Sequence, residues 1–149
     1  MRITLALLII LLNACATLAP LSDSDKIKLT ELALKRAIYE SSRCFDCKIK
    51  NIFVGVNDVV LDPGFISRFS YDGVNVFPKS DAITSCDTGV VQKVTKVRGH
   101  AFSVFEINEL STNEAEVKWG YWYSCTKYSY QYTTFLKKDS VWQYASTRK

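Results

Sequence analysis

The chain has 149 residues, a net charge of +4, 48% hydrophobic residues and a mean hydropathy near zero. These values argue against a disordered chain, a collagen-like repeat or a multi-span membrane protein, and they suit one ordinary domain. Aromatics make up 13%, and the chain carries five cysteines and one histidine.

Met1-Arg2 forms a short basic start, and Ile3 to Leu12 is an apolar run. A spanning helix needs about 20 apolar residues, so the run reads as the core of a signal peptide. It ends in Leu12-Asn13-Ala14-Cys15, which resembles the bacterial lipoprotein signal, or lipobox. That resemblance implies cleavage after residue 14 and lipidation of Cys15. Several acyl chains hold firmly, because each buried methylene adds about 0.8 kcal/mol. The implied location is the bacterial cell envelope, as an outer-membrane lipoprotein facing the periplasm or the surface, since Ala16 rather than Asp follows the cysteine. Cleavage after residue 16 would instead release a soluble secreted protein. Losing 1–15 removes Arg2 and no acid, which lowers the net charge by one. A mildly basic, exported domain is a poor nucleic-acid partner.

Residues 16–22 read as a tether and 23–149 as a single domain. Ser22 or Asp23 can cap a helix over Asp23 to Ser42, whose first turn is acidic. Its wide apolar surface includes Ile27, Leu29, Leu32, Ala33, Leu34, Ala37 and Ile38, which predicts burial against a sheet. Next comes Cys44-Phe45-Asp46-Cys47. This spacing belongs to redox pairs and to half of a zinc site, but the pair follows the helix and so misses the N-terminal dipole that activates such thiols. A zinc site would need a second close pair, whereas Cys86 and Cys125 stand apart. Two disulfides among Cys44, Cys47, Cys86 and Cys125 suit an oxidising compartment, with three connectivities open. The preferred one is Cys44–Cys47 with Cys86–Cys125.

Ile49 to Leu61 is rich in β-branched residues and reads as a strand that Asp62-Pro63-Gly64 ends. Phe65 to Phe69 reads as a helical turn, Val74 to Phe77 as a short extended piece, and 78–99 as irregular. Ala101 to Leu110 is a strand before the turn at 111–114. From Ala115 to Cys125 apolar and polar residues alternate strictly, the clearest signal in the chain. Tyr128 to Lys138 and Val141 to Ala145 complete an antiparallel meander, with Asp139-Ser140 at the turn. Helix first and meander after predicts an α+β fold, an N-terminal helix packed on a curved antiparallel β-sheet.

Five short motifs stand in the second half: Ala115-Glu116-Val117, Tyr121-Trp122-Tyr123, Tyr130-Gln131-Tyr132, Leu136-Lys137-Lys138-Asp139 and Trp142-Gln143-Tyr144. With the segment from Val74 to Ser80, they resemble a loose group of uncharacterised exported bacterial lipoprotein-type proteins. Those have a nuclear-transport-factor-two-like (cystatin-like) α+β roll. The resemblance implies a fold and no activity, because rolls of this kind host enzymes, binding modules and assembly factors alike.

Catalytic chemistry finds little support. His100 is the only possible imidazole base, and Glu106 and Asp87 qualify as its partners by type alone. Asp58 and Asp62 flank a strand end, where a turn aspartate before Pro63 is the simpler explanation. The carboxylates form no D-x-D-x-D-G loop or Glu-x-x-His pair, and no glycine-rich phosphate loop is present, so no metal and no cofactor is expected. The remaining feature is the aromatic meander. Trp119, Tyr121, Trp122, Tyr123, Tyr130, Tyr132 and Trp142 form a candidate binding surface, since exposed aromatics on a sheet suit a glycan or protein partner. The sequence therefore reads as a lipid-anchored, exported, non-catalytic binding or accessory domain. The alternatives are a small-molecule or enzymatic roll using Asp58, Asp62 or His100, and a thiol–disulfide protein using Cys44 and Cys47.

Overall fold

The computed structural model describes residues 20–42, 50–57, 61–69 and 73–149. Cys15, Cys44, Cys47 and Asp58 lie outside the described residues, and with them the lipidation site and one of the two preferred disulfides.

Helix α1 (Asp23–Ser42) starts where the sequence places its cap. The Ser22 hydroxyl accepts from the Asp25 N–H at 3.1 Å, and the Ser22 carbonyl accepts from the Lys26 N–H at 3.0 Å. Both bonds satisfy donors that a helix start otherwise leaves open. Leu29, Ala33, Leu34, Ala37 and Ile38 are buried, whereas Ile27 remains exposed. Glu31 is buried too, and it is held by Lys35 at 2.6 Å, Lys28 at 3.7 Å and Arg68 at 3.6 Å. Burial alone would raise its carboxyl pKa, but these cations outweigh burial and hold it below the ordinary value.

Eight strands follow: β1 (Asn51–Val56), β2 (Asn75–Pro78), β3 (Ala82–Ser85), β4 (Gly89–Gln92), β5 (Arg98–Ser111), β6 (Glu114–Trp122), β7 (Tyr128–Lys138) and β8 (Val141–Arg148). A single-turn helix α2 (Pro63–Ile66) continues into a 3₁₀ turn, Ser67–Phe69, and a second 3₁₀ turn, Lys79–Asp81, precedes β3. The main path across the sheet is β2-β1-β5-β6-β7-β8, and the β3–β4 hairpin joins at the start of β5. Asp139 and Ser140 both have positive φ, the conformation of a two-residue hairpin turn between β7 and β8.

This architecture corrects the α+β expectation. The described chain is 53% strand and 24% helix, so it is mostly β, and its sheet is mixed rather than a curved antiparallel one under a helix. β1 runs parallel to both β2 and β5. A cystatin-like roll is therefore not what the chain forms. The meander reading applies only from β5 onward, because the path from β1 to β5 crosses over and inserts β1 between β2 and β5. The segment 78–99, expected to be irregular, contains a 3₁₀ turn and the β3–β4 hairpin. Its strands are four residues each, too short for period-2 alternation to register.

The sheet separates two apolar clusters. On the inner face Ile52, Val54, Phe102, Val104, Ala115, Val117, Trp119, Phe135 and Trp142 form one core with α1, Phe65 and Phe69. On the outer face Phe53, Val90 and Ala101 make a smaller cluster, with Phe77, Ala82 and Trp122 against it. The Cys86–Cys125 disulfide ties the β3–β4 hairpin to the turn between β6 and β7.

Candidate binding surface

The strict alternation of β6 sends its aromatics to opposite faces, and this divides the candidate set. Trp119 is fully buried on the inner face, where its indole N–H donates to the Thr133 hydroxyl at 2.9 Å. Trp142 is buried as well, and its indole N–H donates to Asp25 at 2.7 Å. Both are core residues. Tyr121 packs beside that core, and Tyr123 continues the inner row to His100, with ring centroids 4.9 Å and 4.6 Å apart in turn. The remaining three, Trp122, Tyr130 and Tyr132, lie on the outer face with residues that sequence reasoning left out.

Phe105 is the main addition. The register of β5 on β6 shifts between Val104 and Glu106, so Phe105 is the extra residue of a β-bulge. Asn57, just past β1, fixes that bulge: its backbone N–H donates to the Val104 carbonyl at 2.8 Å and its side-chain amide to the Phe105 carbonyl at 2.9 Å. The bulge turns the Phe105 ring to Trp122 at 5.4 Å and to Tyr130 at 5.3 Å. Tyr128 then adjoins Tyr130 at 5.4 Å.

Small residues decide how these rings lie. Gly55, Ser103, Gly120 and Tyr130 stand in register across four strands. A Cβ on Gly120 would sit 2.9 Å from the Tyr130 ring and 3.1 Å from the Phe105 ring. The two rings therefore close over bare backbone, and they meet edge to face with 73° between their planes. Beneath them Ser103 is fully buried, and its hydroxyl is, among the described residues, the one buried side-chain polar atom without a hydrogen bond.

Cations border the same rings. Lys79 stands 4.5 Å over Trp122, Lys118 lies 5.3 Å from Tyr130 and 5.8 Å from Tyr132, and Arg148 stacks on Tyr132 at 4.3 Å. Arg148 also grips Glu116 with two nitrogens at 2.8–3.1 Å. Tyr128 and Tyr130 are 57% and 40% exposed, so an aromatic patch with a positive border faces solvent.

No family model, curated protein or solved structure matches the chain.

The acid/base candidates do not converge. Asp62 caps α2, its carboxylate accepting from the Phe65 N–H at 2.9 Å, and it lines a cavity of about 530 Å³ between α1, α2 and β5. Glu106 lines that cavity too. His100 and Asp87 line a different one at the disulfide end of the sheet. Among the described residues no group of three metal-ligating side chains forms, and no helix is long and apolar enough to cross a membrane.

Proposed function

We propose that the chain is an exported, lipid-anchored binding domain of the bacterial cell envelope that holds an acidic glycan on the outer face of its sheet. The observation that carries this reading is the interlocked group of Phe105, Trp122 and Tyr130, laid over Gly120 and bordered by Lys79 and Lys118. Ring faces stack on the C–H faces of sugars, and the amphipathic rings suit a contact that is half apolar and half wet. The bordering cations match carboxylate or sulfate groups on such a chain. The anchor rests on the N-terminal segment ending in Cys15.

The test is retention of the detergent-purified mature protein on immobilised alginate, with dextran as the neutral control. Alginate retention that a Trp122→Ala, Tyr130→Ala double variant loses at least tenfold supports the reading. Equal retention of the variant, or capture of a protein partner with no affinity for alginate, overturns the glycan assignment. Intact-mass measurement tests the anchor separately, because a mature mass without acyl chains contradicts lipidation at Cys15.

A further inference from the structure

The disulfide end of the sheet holds a second feature, on the opposite face from the aromatic patch. A cavity of about 500 Å³ opens between the β3–β4 turn, the first residues of β5 and the β6–β7 turn. That volume lies within the range of small-ligand pockets. The Cys86–Cys125 bond joins two of its three walls, which fixes their spacing before any ligand arrives.

His100 sits in this wall and is only 8% exposed. Its ring meets the edges of Tyr123 at 4.6 Å and Phe102 at 6.4 Å, yet it makes no hydrogen bond among the described residues. Ser103 holds the one sealed and unsatisfied side-chain polar atom among the described residues, so the unbonded imidazole nitrogens are open to the cavity, where a ligand can reach them. Three charges line the same cavity: Arg98 from β5, Lys127 from the β6–β7 turn and Asp87 from the β3–β4 turn. None of the three is in an ion pair within the described chain. Two cations against one acid give the wall a positive balance.

We propose that this cavity binds a small carboxylate, held by Arg98 and Lys127 and hydrogen-bonded by the His100 imidazole. Carboxylates suit this wall because a guanidinium offers them paired donors and an imidazole N–H adds a third. Burial pushes the His100 pKa down to about 4, so the ring is neutral in the empty protein and offers one N–H. A bound anion favours the protonated ring and reverses part of that shift.

The chain has one histidine, so in untagged protein the imidazole proton resonances belong to His100 alone. The experiment follows those resonances at pH 7 while sodium acetate replaces sodium chloride at constant ionic strength. The expected result is a saturable displacement with a millimolar midpoint, and a His100 pKa at least one unit higher in saturating acetate. An Arg98→Gln, Lys127→Gln double variant should weaken the response at least tenfold. Both residues are exposed, and a circular dichroism spectrum like that of the parent establishes that the variant is folded. A displacement linear in acetate, an unmoved pKa, or an undiminished response in the folded double variant overturns the proposal.

Discussion

Asp25, in the first turn of α1, accepts a hydrogen bond at 2.7 Å from the indole N–H of Trp142, a residue 117 positions later on the last strand. Lys137 on β7 donates to both oxygens of the same carboxylate at 3.0 Å. One aspartate thus joins the first described helix to the last hairpin. The bond with Trp142, the bonds from Lys137 and the one from Ser22 together hold its pKa below the ordinary 3.8, against the smaller opposing pull of burial.

Asp25→Ala should therefore cost about 2–3 kcal/mol, the range for hydrogen bonds to a charged group plus a buried donor left unpaired. Asp25→Asn keeps an acceptor for the indole and loses the charge facing Lys137, so its cost should be about half as large. Urea denaturation of the two variants measures both. Because the folded-state pKa lies below the unfolded one, this contribution is present above about pH 4 and disappears as pH falls through the folded value.

His100 produces pH dependence in a different window. Burial lowers its pKa from 6.5 to about 4, so between those values the unfolded chain binds a proton that the folded chain refuses. Stability should then fall as pH drops from about 6.5 towards 4, by a few degrees in Tm. His100→Gln should flatten that part of the profile while leaving the Asp25 region below pH 4 in place. Thermal melts of both proteins between pH 4 and 7.5 check this, and parallel profiles would contradict it.

The Cys86–Cys125 bond closes a loop of 39 residues in sequence separation. Closing a loop of that size in the unfolded chain is worth about 4 kcal/mol in the chain-entropy account. A Cys86→Ser, Cys125→Ser variant should lose roughly 2–4 kcal/mol in denaturation while keeping its far-ultraviolet spectrum. Backbone bonds already hold the two hairpins together there, with Val90 N–H donating to the Tyr123 carbonyl and Cys125 N–H to the Ser85 carbonyl. Local melting of β3–β4, seen as faster amide exchange at Val90 and Val91, should precede global unfolding in this variant.

Local chemistry explains which parts of this structure were readable in advance. The capped helix from Asp23, the alternating β6 and the turn at Asp139-Ser140 each depend on residues within a few positions, and each forms as its pattern predicts. The parallel placement of β1 between β2 and β5 depends on a crossover that no local pattern encodes. The same limit applies to the candidate surface. Alternation separates Trp119 from Trp122, but it does not say which face α1 covers, so it leaves both as surface candidates. Phe105 is not legible in the sequence, because a bulge breaks the period-2 alternation at that point. The burial of Trp142 depends on Asp25, a partner more than a hundred residues away.

Gly120 tests whether the close seating of the rings on the sheet matters. Its backbone has no positive φ, so alanine there meets no conformational strain, and any effect must be steric. A Cβ would lie 2.8 Å from the Ser129 carbonyl oxygen as well as against the Tyr130 and Phe105 rings. The carbonyl belongs to the neighbouring strand and cannot turn away, whereas the rings can lift. Gly120→Ala should then cost about 1–3 kcal/mol, as overpacked sites do, with Tyr130 and Phe105 displaced from the sheet. Its inner face keeps Trp119 bonded to Thr133, so tryptophan emission from the core should stay near that of the parent. Alginate retention should fall together with the ring displacement. A variant that is destabilised yet retained as well as the parent would show that the sugar contact does not need the rings seated against residue 120.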